Sequence, residues 1–124
     1  MKFEKRKVLV VDDDRGFLDL VRSYFVSHQY EVACAESPTR ALQTMREGRF
    51  KVVILDYQMP EANGDELIAM LQRINPTARF IIVTGVLSGE VEARFKGLGY
   101  FSYFEKGQLA LKALEESVLQ AFSA

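Results

Sequence analysis

The chain has 124 residues, room for one domain and too few for a second with a core of its own. A hydrophobic content of 48% with mixed charges excludes a disordered chain, and a net charge of −1 supplies no global basic field for nucleic acid or anionic lipid. The longest apolar run falls far below the roughly 18 residues of a membrane span, the start carries no apolar core of signal-peptide type, and one cysteine cannot form an internal disulfide. A single cytoplasmic domain over 1–124 is expected, with no membrane contact and no direct nucleic-acid partner.

In chain order, "KFEKRK" (Lys2–Lys7) reads as a solvated lead-in to a first strand, "KVLVVD" (7–12). That apolar run ends directly on Asp12, Asp13 and Asp14. Asp14 suits the N-cap or first turn of a helix over Arg15–His28. On this helix Leu18, Val21 and Phe25 form a core arc. Phe17, Leu20 and Tyr24 form a second arc shifted by about 100°, which either widens the core contact or stands as an exposed apolar shoulder beside the acids. His28 reads as a solvent-facing partner of the helix end. A second strand, "YEVACA" (30–35), holds Cys34, read as a small buried hydrophobe rather than a redox group. Ser37 caps a helix whose first residue is Pro38, continuing over Thr39–Glu47. The third strand, "KVVILD" (51–56), ends on Asp56, and a helix over Gly64–Ile74 follows. "RFIIVTG" (79–85) ends near Thr84 and precedes a helix over Ser88–Lys96. The aromatic fifth strand, "YFSYF" (100–104), leads to Lys106 and a last helix over Gln108–Phe122.

Five strand-then-helix units, three of their strands apolar on both faces, predict an α/β doubly wound fold with right-handed crossovers and a parallel sheet covered on both sides. In the flavodoxin-like (βα)5 arrangement, with strand order 2-1-3-4-5, strands one and three are neighbours and the switch point lies between them. The working site sits at the carboxyl ends of the strands. Asp12, Asp13 and Asp56 should therefore share one cleft, with Thr84 and Lys106 at its rim.

Crowded carboxylates raise one another's pKa unless a cation joins them. An all-oxygen, highly negative set favours a hard ion: Mg²⁺ first, with Ca²⁺ or Mn²⁺ as substitutes. A carboxylate beside Mg²⁺ and Lys is placed to attack phosphorus and form an aspartyl phosphate. The sequence holds no Gly-rich Walker loop, no GxGxxG and no His/Cys metal cluster. Singly, Asp12 could be a helix cap, Thr84 a β-former and Lys106 a solvated loop residue; their joint placement after successive strands favours a site.

The sequence resembles the receiver domain of bacterial two-component response regulators over nearly its whole length. "VLVVDDD" is similar to that family's first strand and acid pair. "VVILDYQMPEANGDEL" matches its pattern of a strand, an Asp, Met-Pro, a Gly, then an acid and Leu; "IIVTG" and "YFEKG" match its fourth and fifth strands. The resemblance implies that Asp56 is the phosphoacceptor, that Asp13 is the main Mg²⁺ ligand with Asp12 acting through water, and that the backbone carbonyl of Gln58 completes the metal shell. Thr84 and Lys106 would bind phosphoryl oxygens, and Tyr103 would be the aromatic that moves with Thr84. The implied partners are a histidine kinase or histidine phosphotransfer domain, docking near Gly16, Phe17 and Leu20, and a downstream protein target. Any activity would be limited to self-phosphorylation and autodephosphorylation.

The departures carry expectations of their own. Gly107 stands where the family usually has a Pro, commonly after a cis bond, so a trans Lys106–Gly107 bond or a looser loop is expected. Gly85 is expected to loosen the loop that follows Thr84, and Val86 offers a water no hydrogen bond. Phe95, Leu98, Phe101, Tyr103 and Leu111 would form an output face over helix four, strand five and helix five. The aromatic edge strand there suggests a partner or a homodimer. Two rivals stand beside this reading. A haloacid-dehalogenase-type phosphohydrolase would use Asp12 and Asp14 as its D-x-D, but lacks the expected Thr and a late acidic pair after a strand. A phosphorylation-inert docking module is kept open by Gly107.

Overall fold

A computed structural model of the chain describes residues 5–60, 62–85 and 88–124, with the side chains of Ala62 and Phe95 left aside. The expectations for Val86 and for the Phe95 side chain, and most of the lead-in before Lys5, lie outside the described residues.

Strand and helix alternate as β1 (Arg6–Val11), α1 (Arg15–Ser27), β2 (Tyr30–Ala35), α2 (Pro38–Glu47), β3 (Val52–Asp56), α3 (Gly64–Ile74), β4 (Arg79–Thr84), α4 (Gly89–Phe95), β5 (Ser102–Glu105) and α5 (Leu111–Ser123). The sheet is parallel throughout, in the expected order β2-β1-β3-β4-β5. Period-two alternation divides β1, β3 and β4 between two apolar layers. Leu9, Val11, Val53, Leu55, Phe80 and Ile82 face Ala41 and Met45 of α2 and Leu67, Ile68 and Leu71 of α3. Val8, Val10, Val52, Ile54, Ile81 and Val83 face Leu18, Val21 and Phe25 of α1 and Leu114, Val118 and Ala121 of α5. Each fully buried aliphatic side chain contributes about 1.5–3 kcal/mol relative to exposure, so both faces hold the three central strands rigidly. That rigidity fixes where the strand ends, and the acids on them, must lie.

Local chemistry sets the helix starts. Asp14, Ser37, Asn63 and Ser88 each accept a hydrogen bond from the backbone N–H three residues on, satisfying a first-turn donor. Pro38 occupies the first helical position behind Ser37, as expected. His28 closes α1: it is exposed, its Nδ1 lies 2.7 Å from the Tyr24 carbonyl oxygen, and its ring stacks on Tyr24 at 4.1 Å.

Four findings refine the sequence expectations. Cys34 is exposed rather than buried. It sits on edge strand β2 opposite Val10; partial cover still pushes its thiol up, with Arg22 opposing and Asp19 and Glu36 adding to the rise. The second arc of α1 divides: Phe17 and Tyr24 pack partly buried against the α1/α5 layer, while Leu20 stays 55% exposed. The last helix begins at Leu111 rather than Gln108, because Lys106–Gln108 wind a 3₁₀ turn and Leu109 and Ala110 then run extended. Gln58–Met59 and Ala62–Asn63 form a two-residue antiparallel ribbon between β3 and α3 that no sequence pattern announces. No cis peptide bond occurs among the described residues, so Lys106–Gly107 is trans, as expected from the missing Pro.

The ribbon folds back tightly because Gly64 lets α3 approach Tyr57. A Cβ at Gly64 would lie 2.9 Å from both the Tyr57 carbonyl oxygen and its ring Cε1. The Tyr57 ring cannot swing away: it is buried, and its hydroxyl donates to Asp65. Gly64→Ala is therefore expected to lower unfolding stability by about 1–3 kcal/mol in urea titrations. Gly89→Ala, where a Cβ meets nothing within 4 Å, should stay within about 0.5 kcal/mol. Equal effects at the two positions would contradict the close approach.

Candidate functional site

Val11 of β1 pairs with Leu55 of β3, so the next residues, Asp12 and Asp56, emerge side by side at the carboxyl edge. The Asp12 N–H is tied to the Ala35 carbonyl of β2 at 3.0 Å. Asp12, Asp13 and Asp56 each place a carboxylate oxygen within 4.8 Å of the others. Asp12 and Asp56 are buried, at 0% and 5% exposure, whereas Asp13 is exposed and forms the mouth. The three acids, 43 residues apart along the chain from Asp13 to Asp56, meet as the strand order requires.

One oxygen of each buried acid is fixed by backbone. The Asp14 N–H donates to Asp12 Oδ1 at 2.9 Å, and the Gln58 N–H donates to Asp56 Oδ1 at 3.1 Å. Their other oxygens face Lys106. Its Nζ lies 2.8 Å from Asp12 Oδ2, 3.9 Å from Asp56 Oδ2 and 3.9 Å from Asp14 Oδ2. The same ammonium stands 4.7 Å from the centre of the Phe17 ring. Buried Thr84 donates to Gln58 Oε1 at 3.4 Å. Tyr103 donates to Glu92 Oε1 of α4 at 2.8 Å, and its ring meets Tyr100 edge-on at 5.5 Å.

Burial governs the electrostatics. Burial first and neighbouring Asp12 second push the Asp56 carboxyl up to about 7, against the Gln58 N–H and Lys106. Asp12 is raised for the same first reason, with Lys106 and the Asp14 N–H opposing. Burial pulls the Lys106 ammonium down, but its bond to Asp12 and the charges of Asp12, Asp56 and Asp14 outweigh that and raise it. A single ammonium thus faces a cluster of carboxylates and cannot neutralise it.

The donor set suits a hard divalent cation. Every candidate ligand is an oxygen, and buried Asp12 Oδ2 has the Lys106 ion pair but no well-formed hydrogen bond.

The structure brings Asp12, Asp13, Asp56, Gln58 and Lys106 together, with Thr84 joined through Gln58. Gly16, exposed in the first turn of α1, and Leu20 lie on the same helix as Phe17. The anticipated output residues are partly buried on opposite sides of edge strand β5: Leu98 and Tyr103 with the α2/α3 layer, Phe101 and Leu111 with the α1/α5 layer. Three roles escaped the sequence reading. Asp14 caps α1 and also reaches toward Lys106, and the Gln58 side chain as well as its backbone enters the site. Phe17, read for docking, covers the Lys106 ammonium. Only the adjacency of Asp14 to the acid pair hinted at any of these.

A family model described as the response regulator receiver domain matches residues 8–118. A response regulator receiver protein of Anaeromyxobacter sp. strain Fw109-5 is 35% identical over 95 residues, 75% of this chain and 40% of that protein. The transcriptional regulatory protein GlrR of Escherichia coli K12 is 33% identical over 108 residues, 86% of this chain and 24% of that protein. The chain thus spans well under half the length of these relatives. Among solved structures, a CheY-like response regulator receiver domain protein from Methanospirillum hungatei JF-1 superposes with a TM-score of 0.87 at 26% identity, covering 94% of this chain and 93% of that one. A response regulator receiver domain protein from Clostridium thermocellum gives 0.86 at 27% identity, covering 95% and 94%. The chain belongs to the response regulator receiver domain family of two-component signalling.

Proposed function

We propose that Asp56 accepts a phosphoryl group from a phosphohistidine on a histidine kinase or histidine phosphotransfer domain. Mg²⁺ would be held by Asp12, Asp13, Asp56 and the backbone carbonyl of Gln58. The observation that carries this reading is the meeting of three carboxylates within 4.8 Å, two of them buried, beside one lysine. Bound there, the ion would offset the carboxylate repulsion and the charge of the incoming phosphoryl oxygens.

The chain's own groups supply the rest. Asp56 Oδ2 is the nucleophile, because the Gln58 N–H holds Oδ1. A bond forms from this oxygen to phosphorus while the bond from phosphorus to the imidazole nitrogen breaks, and the nitrogen keeps the electron pair. Lys106, 3.9 Å from that oxygen, needs only a short movement from Asp12 to meet a phosphoryl oxygen. Thr84 would exchange its weak 3.4 Å bond to Gln58 for a charge-assisted one. Tyr103, tied to Glu92, would carry that change toward α4 and the β5 edge, where a downstream protein or a second copy docks. Gly16 and exposed Leu20 at the α1 end of the cleft suit the approach of the donor protein. A kinase-coupled role of this kind places the protein in the cytoplasm. Among the described residues, no helix is long and apolar enough to cross a membrane.

The two rivals fare worse on geometry. Glu115 and Glu116 lie within α5, so the hydrolase arrangement lacks its late acids, and Asp14 has one oxygen engaged as the α1 cap. The trans Lys106–Gly107 bond does not keep Lys106 out of the cleft, which removes the main support for an inert module.

With acetyl phosphate and Mg²⁺, wild-type protein should gain the mass of one phosphoryl group and Asp56→Asn none; labelling that survives in Asp56→Asn and is lost in Asp12→Asn would favour the hydrolase. A second expectation concerns metal-free stability. The folded Asp56 carboxyl, at about 7, lies above its ordinary value of 3.8, so the native state holds the extra proton. The stability from that proton is full below about pH 4 and is lost as pH rises through about 7. In chelated buffer, Asp56→Asn should match wild type near pH 4 and exceed it at pH 8 by on the order of 1–3 kcal/mol. Saturating Mg²⁺ should narrow that gap. A gap that shrinks as pH rises would contradict the assignment.

A further inference from the structure

The aim of Lys106 is not set by its backbone. The residue starts a three-residue 3₁₀ turn secured by one long bond, Leu109 N–H to the Lys106 carbonyl at 3.3 Å. Exposed Gly107 follows, and a Cβ there would meet nothing within 4 Å. A lysine stem with four rotatable bonds, leaving such a turn, would ordinarily sample many rotamers. Here its ammonium is drawn into the cleft, with the side chain only 21% exposed.

Asp12 and Phe17, with Asp14 Oδ2 and Asp56 Oδ2 at 3.9 Å each, account for that aim. Asp12 Oδ2 draws the ammonium from inside at 2.8 Å, and the Phe17 ring lies 4.7 Å from it. Phe17 is itself well fixed. Its N–H is held by the N-cap carboxylate Asp14 Oδ1 at 3.2 Å, and its side chain packs partly buried against the α1/α5 layer. An aromatic face attracts a cation through its quadrupole and, unlike a carboxylate, offers no competing negative charge to a phosphoryl group.

We propose that Phe17 is a positioning residue for Lys106: its ring holds the ammonium over the acid cleft when the bond to Asp12 is given up. The inference rests on Asp56 being the phosphoacceptor and goes beyond it, assigning to Phe17 an intramolecular role in place of donor docking alone. A divalent ion at Asp12 would compete for the oxygen that now binds Lys106; the ring then keeps the lysine in the cleft together with Asp14 Oδ2 and Asp56 Oδ2 at 3.9 Å each, and of the three only the ring carries no negative charge.

The test uses the full chain with phosphoramidate, a donor too small to need a docking surface, at saturating Mg²⁺, followed by intact mass. Phe17→Leu keeps apolar bulk and loses the ring; Phe17→Tyr keeps the ring. Phe17→Leu should label about three- to tenfold more slowly at saturating donor, with little change in the donor concentration for half-maximal rate, and Phe17→Tyr should stay within about twofold of wild type. In ¹⁵N-lysine spectra the Lys106 ammonium protons should show a ring-current displacement in wild type and Phe17→Tyr that disappears in Phe17→Leu. Wild-type rates in Phe17→Leu, or a Phe17→Tyr variant as slow as Phe17→Leu, would overturn the inference while leaving the phosphoacceptor reading intact. A folded wild type that never labels overturns that reading and this inference with it.

Discussion

Buried carboxylates repel one another most where water cannot screen them, and this fold places two of them on adjacent strand ends with a third at the mouth. The rest of the site follows from that crowding. The backbone N–H groups of Asp14 and Gln58 each stabilise one oxygen, and Lys106 enters as an internal cation on Asp12. These contacts fall short: the Asp56 carboxyl remains pushed up to about 7. A cluster left short of positive charge is predisposed to take up a divalent ion, and with it a group as negative as phosphate.

The packing that enforces the crowding lies remote from the chemistry. Two apolar layers grip β1, β3 and β4 from both sides, so the acids cannot relax apart without disturbing Val8 to Val11 or Val52 to Leu55, all essentially without exposure. The surrounding loops are held by smaller devices: the Asp14 cap on α1, the ribbon after Asp56 and the Gly64–Tyr57 approach. The strand ends are rigid, while Lys106 reaches the cleft from a short 3₁₀ turn and Thr84 and Tyr103 bond to the side chains of Gln58 and Glu92. That division suits a module that must keep its acids still and change its surface.

The sequence was informative where one period or one residue type decides the outcome. Unbroken apolar runs ending in Asp identified β1 and β3, and the parallel order that makes them neighbours brought Asp12, Asp13 and Asp56 together. Ser37 before Pro38 marked a helix start for a local reason. Features that depend on tertiary surroundings were hidden. Cys34 looked buried because its neighbours are apolar, yet an edge strand leaves it open. Phe17 and Leu20 looked alike on a helical wheel, but only Phe17 meets a cation, from a residue 89 positions away in sequence. The 3₁₀ turn after Lys106 delays α5 with no Pro to announce it.

The central claim, that these acids form one charge-starved cleft completed by a divalent ion, is tested most directly by counting protons as Mg²⁺ binds. Calorimetric titrations in buffers of different ionisation enthalpy give that number. A site whose Asp56 is half protonated near pH 7 should release roughly half a proton there and almost none near pH 9, with affinity rising as pH is raised. Magnesium that binds with the same affinity from pH 5.5 to 8.5 and releases no proton, or that does not bind at all, would contradict the account.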